Sequence, residues 1–286
     1  MPTKTLNALE TELRTIPLPN HGGRYAVVSH GFVIDQTRAE LDAAGFTITR
    51  ELYKSSIDGQ MAQGIYHLNY GDDADMGLMF AWSNSYNKMM RFKCAIGAHV
   101  FVCSNGVVTG DLASYKRKHI GPQALTDVTS HIQTQISKAG LFYNQLVADK
   151  EMLKEIILTP RNQGRILGEL FAKDEILTLT QVGIVKREMD KPTFNYNCDR
   201  NSAWAMYNHV TLALKQSHPM HYLDDHQLVH RYFVNEYGQL ITPQPIGGVV
   251  EEIPEGLSIS AAMGSDFDID AMKQQLVEDR FGVTFL

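Results

Sequence analysis

A chain of 286 residues, 44% hydrophobic and 20% charged, is long enough for one large domain or two small ones and has the composition of a core-forming protein, which excludes wholesale disorder. The net charge is −6, and the three cysteines, Cys94, Cys103 and Cys198, show no C-x-x-C spacing, which excludes a disulfide framework and a thiolate zinc site. Apolar runs such as CAIGAHVFVC at 94–103 fall well short of the roughly 20 residues that span a bilayer; with acids near the N-terminus in place of a secretory leader's apolar stretch, a cytoplasmic protein with no membrane partner is expected.

In chain order, residues 1–24 read as a leader, with a short helical start followed by the breaker IPLPNHGGR at 16–24. YAVVSHGFVI at 25–34 is β-branched and predicts a strand, followed by a short helix with Asp35 at its N-cap and Gly45 at its end. From 47 to 104 the sequence alternates with period two between the turn clusters IDG, GDDAD and SYNK, predicting an antiparallel meander. Beyond NGVVTGD the period lengthens: Val128, Ile132, Ile136, Leu141 and Leu146 predict a long helix or a broken pair. Thr159 before Pro160 is an N-cap and first-turn pairing that starts another helix. Two more are expected over 200–216 and 223–237. Residues 238–286 read as an irregular acidic segment with a terminal helix closing near Gly282. The fold class is therefore α+β, one composite domain over 25–237 with a sheet in its N-terminal half and helices in its C-terminal half.

The charge is unevenly placed. From Glu251 onward eight acids face two bases, whereas residues 83–120 carry Lys88, Arg91, Lys93, Lys116, Arg117 and Lys118 against Asp111 alone. Trp82, Tyr86 and Phe101 are interleaved with these cations, and cations tracking phosphates beside rings that stack on bases is how single-stranded nucleic acid is commonly held. Those nine residues are the expected nucleic-acid surface, with self-assembly as a homo-oligomer.

SHPMHYLDDHQLVHRYF at 217–233 raises a metal site instead. His226 and His230 lie four apart on one helix face, as in zinc hydrolases, and His218, His221 and Asp225 offer further ligands for zinc or manganese. Gln227, however, stands where such an enzyme places its general-base glutamate, and Asp224 or Asp225 equally suits a capped helix start. The three aspartates of GDDAD, Asp72, Asp73 and Asp75, read as turn residues. No phosphate-cradling glycine motif and no nucleophile elbow is present, and no catalytic residue is assigned.

The order of elements, with Asn84, Ser85, Val102, Cys103, Ser104 and Asn105 in the first half and Trp204, Ala205, Asn208 and Thr211 in the second, resembles the phage and plasmid-like proteins grouped as domain of unknown function 932. Two positions depart from that pattern, Ala205 for a glycine and His209 for an alanine. The resemblance implies a mobile-element protein of a bacterial host cell and carries no established activity. Asn84, Ser104, Asn105 and Asn208 are expected either as buried hydrogen-bond ties or as the lining of a polar groove. The leading expectation is an accessory protein binding single-stranded DNA in replication or recombination; the alternatives are a metal-dependent hydrolase on the 218–230 histidines and a protein-binding inhibitor of host defence.

Overall fold

The computed structural model describes residues 5–20, 26–103, 105–107 and 123–237. The fold is α+β. Six strands, β1 (Thr5–Ala8), β2 (Thr47–Ser56), β3 (Met61–Asn69), β4 (Met76–Ser85), β5 (Lys93–Val100) and β6 (Gly106–Val107), form one antiparallel sheet in strict sequence order. Eight α-helices lie among the described residues: α1 (Glu10–Thr15), α2 (His30–Ala43), α3 (Ala124–Ser137), α4 (Ala139–Glu155), α5 (Pro160–Gly168), α6 (Leu179–Asp190), α7 (Ala203–Leu214) and α8 (Tyr222–Tyr237). A π-helical turn over Glu169–Lys173 extends α5.

The expected meander, the broken pair α3 and α4, the Thr159–Pro160 start and the last two helices are all present. Two expectations are corrected. Residues 26–34 do not form a strand: Ser29 caps α2 by accepting a hydrogen bond from the Phe32 amide at 3.0 Å, so Asp35 lies inside the helix and pairs with Arg14 instead. A helix started by a serine cap overrides the strand preference of its valines. Residues 5–15, expected as a leader outside the core, add a strand to β2 and bury Leu13. The acidic segment 238–286 and Lys116, Arg117 and Lys118 lie outside the described residues.

Strand alternation sorts the sheet into two faces. Tyr66, Leu68, Leu78, Phe80, Trp82 and Ile96 pack against Val33, Ile34 and Leu41 of α2 and Val128 and Ile132 of α3. Gly64 makes room for this layer, because a Cβ there would stand 2.5 Å from the Trp82 indole. On the opposite face Ile65, Met79, Ala81 and Ala95 meet Tyr222 and Leu223 of α8. A third cluster gathers around α7, in which every residue but Leu212 is buried, and joins Leu153, Ile166, Leu170, Val185, Val229 and Phe233 to the sheet end at Met76, Ala98 and Val100.

Candidate anion-binding face

The residues expected to bind nucleic acid divide sharply. Trp82 and Tyr86 are buried at 0% and 1% exposure; the indole donates to the Tyr66 hydroxyl at 3.1 Å, and the Tyr86 hydroxyl accepts from the His30 amide at 2.7 Å. Neither ring can stack on a base, which corrects that expectation. For Trp82 the reason is that β4 is covered on both faces, so an aromatic there is core whichever way it points; Tyr86, just past the strand, is covered by the His30 ring stacked on it at 3.9 Å. Phe101 is exposed. Lys88 and Arg91 sit on the β4–β5 hairpin, whereas Lys93 is paired with Asp224 of α8.

The alternative of a metal site on the 218–230 histidines gains no support from the geometry. Among the described residues no three histidine, cysteine or acidic side chains come together as metal ligands. His230 Nε2 is 3.0 Å from Asp149 of α4, Asp225 accepts from the Ser217 hydroxyl at 2.8 Å, and His218 Nδ1 accepts from the Met220 amide at 3.2 Å. His226 is wholly buried beside two lysines, the wrong electrostatic company for a cation. His221 starts the turn into α8, its carbonyl accepting from the Asp225 amide. Asp73 and Asp75 are neutralised by Lys150 and Lys154. Asn105 Nδ2 donates to the Asn208 carbonyl at 3.0 Å, and Asn208 Nδ2 to the Trp204 carbonyl at 3.0 Å; Asn84 Nδ2 donates to the Val28 carbonyl at 2.9 Å. All three asparagines are wholly buried, tied into the sheet–helix junction rather than lining an open groove; Ser104 lies outside the described residues.

What the fold does assemble is a cationic row on the α8 face of the sheet. Strand register sets Lys54, Gln63, Ser83 and Lys93 side by side across β2, β3, β4 and β5, and places Arg50 beside His67 two pleat repeats further along. Lys215, the C-cap of α7, lies between the two groups and acts electrostatically on His67, His226 and Lys54. Its Nζ donates to the Cys103 carbonyl, while Lys54 Nζ donates to the Lys215 carbonyl at 2.7 Å and sits 5.4 Å above the Tyr222 ring. His67 and His99 stack at 3.8 Å, and Phe101 meets His99 edge-on at 5.3 Å.

The cations disturb one another. Burial lowers the Lys54 pKa to about 8, aided by the Lys215 charge, and burial lowers Lys215 as well. Burial holds His67 near 3, with His99, Arg50 and Lys215 adding to the shift, and holds His226 near 3 with help from Lys54 and Lys215. Among the described residues no carboxylate acts on Lys54, Lys215, His67, His99 or His226. In the same row Gln63 is fully buried, and neither atom of its amide has a partner there. Buried amides are nearly always satisfied and buried charges nearly always paired, so this face has donors and positive charge in excess of what the fold itself uses.

Sequence reasoning missed Arg50, Lys54 and Lys215. Arg50, Leu52 and Lys54 alternate along β2 and so share a face, a signal present in the sequence; nothing local ties Lys215, 161 residues later, to them. No helix among the described residues is long and apolar enough to cross a membrane. No family profile, curated protein or solved structure matches this chain, so the resemblance to the phage and plasmid-like family stands on the quoted motifs alone.

Proposed function

We propose that the protein binds single-stranded nucleic acid through its phosphates, on the sheet face bounded by Arg50, Lys54, Lys215 and Phe101, as an accessory protein of a mobile element. The observation that carries the reading is that, among the described residues, no carboxylate acts on Lys54 or Lys215, whereas Lys93 in the same row is held by Asp224. Lys54 is four residue steps along β2 from Arg50, about 13 Å at the usual strand rise, so the charges form a track rather than a point. Phe101, exposed at one end of the track and braced by His99, supplies a ring face of the kind on which bases stack. Lys88 and Arg91 extend positive charge toward the hairpin.

The test is binding of a labelled single-stranded oligonucleotide over a salt series, for the wild type and for Arg50→Ala, Lys54→Met and Lys215→Met, with folding checked by circular dichroism. Each lost phosphate contact should make the slope of log affinity against log salt shallower by about 0.7. Folded protein that fails to bind at low salt overturns the proposal and turns attention to a host-protein target. Binding with a slope unchanged in all three variants overturns the placement of the site.

A further inference from the structure

A second site lies away from the cationic face, in the connection between α6 and α7. A cavity of about 420 Å³ opens there, walled by Pro192, Phe194, Tyr196 and Ala205, with His209 inside and Arg200 among its lining residues. That volume is within the range of small-molecule pockets. The loop is held by its own bonds: both Glu188 carboxylate oxygens clamp Thr193, one taking its amide at 2.8 Å and the other its hydroxyl at 2.6 Å. The Asn195 side chain accepts from the Asn197 amide at 3.1 Å, and Asn197 is held at φ +52°. The pocket is thus fixed before any ligand arrives.

Its chemistry is specific. Phe194 and Tyr196 present rings 6.4 Å apart, and Tyr196 meets the His209 ring edge-on at 5.8 Å. His209 is 98% buried yet its Nδ1 has no hydrogen-bond partner. Burial lowers its pKa to about 4, with Glu188 opposing and Arg200 reinforcing the shift, so the ring is neutral near pH 7 and can exchange a hydrogen bond with a neutral heterocycle edge. Arg200, on the exposed side, spends one guanidinium nitrogen on the Met189 carbonyl at 3.3 Å, leaving other donors of its fork for an anionic oxygen. Aromatic walls, an unsatisfied imidazole nitrogen within and a guanidinium together describe a planar heteroaromatic ring bearing a negatively charged group.

We propose that this pocket is a mononucleotide site, the base lying against Phe194 and Tyr196 with an edge on His209 Nδ1, and the phosphate on Arg200. It shares no residue with the nucleic-acid face and does not depend on it.

Titration calorimetry of the full-length protein with adenosine and cytidine 5′-monophosphates tests it, with adenosine and ribose 5-phosphate as the halves of the ligand. At least one mononucleotide should saturate, its nucleoside should bind about tenfold more weakly, and ribose 5-phosphate weaker still. Arg200→Gln should bring the mononucleotide down to the nucleoside's affinity while leaving the nucleoside unchanged. His209→Phe should weaken both, yet leave the melting temperature of the unliganded protein unchanged or raised, since it replaces a buried nitrogen without a partner by a carbon. The proposal is overturned if neither mononucleotide saturates by about 5 mM. It is equally overturned if Arg200→Gln and His209→Phe leave binding intact while Lys54→Met abolishes it.

Discussion

Toward α2 and α3, the sheet sets Tyr66, Phe80, Trp82 and Ile96 into Val33, Ile34, Val128 and Ile132, and the Trp82 indole N–H finds the Tyr66 hydroxyl. Across the same strands, toward α8, the apolar patch is small and its neighbours are Arg50, Lys54, His67, His99 and an amide at Gln63 without a partner. Register fixes both sets at once, since neighbouring residues of a strand point to opposite faces. The first face minimises free energy through packing; the second keeps groups whose burial is unfavourable, the pattern expected where a surface is shaped for something other than its own stability.

The sharpest way to break this comparison is to exchange the expected sensitivities. Trp82→Ala should lower unfolding free energy by about 3–5 kcal/mol, read by denaturant titration. Gly64→Ala should also be strongly destabilising, because its Cβ would meet the indole at 2.5 Å. On the other face, Lys215→Met should change stability by less than about 1 kcal/mol, or raise it, while weakening oligonucleotide binding. Similar losses of stability on both faces would dissolve the distinction.

Next in size is the pH dependence. An unfolded lysine holds its proton to about pH 10.5, whereas folded Lys54 releases it near 8. Between those values the unfolded state binds more protons, so stability should rise with pH. The rise should shrink in Lys54→Met and also in the presence of a bound polyanion, which raises the lysine's folded-state affinity for its proton. In acid the same reasoning applies to His67 and His226: both are held near 3 against an ordinary 6.5, so stability should fall as pH drops from about 6.5 toward 3. His226→Phe should flatten that fall in a thermal-melt series. The smallest effect is expected at the hairpin, where Lys88→Ala with Arg91→Ala should shift stability by no more than about 0.5 kcal/mol.

Much of the sheet is legible from alternation, because β2 through β5 are long and separated by turn residues, and the helices with a Thr–Pro start or a strong apolar stripe are legible too. α6 is not read and α2 is read only from Asp35 onward, although each carries its own marker: Ser29 before His30, and Thr178 with Gln181, whose side chains form a reciprocal cap. Valines at 27, 28 and 33 mask the first. The candidate site is hardly legible. A run such as 116–118 attracts attention because its charges are adjacent in sequence, but Lys215 joins Arg50 and Lys54 only when the C-terminal end of α7 is brought to β2. Trp82 and Tyr86 mislead for the converse reason, being close in sequence to cations yet enclosed, Trp82 within the sheet and Tyr86 against the His30 ring of α2.

The unbroken strand order also bears on how the chain acquires its shape. Each strand pairs with the one before it, so the β2 to β5 sheet is assembled from hairpins whose closing loops are short, and such local pairing is the kind that forms early. α7, by contrast, joins segments as far apart as Met76 and Phe233 and cannot be enclosed until nearly all of the described chain has been made. A growing chain would therefore expose the cationic side of a finished sheet before α8 arrives to cover part of it. Pulse-labelled hydrogen exchange during refolding should find the β3 and β4 amides protected ahead of those of α7.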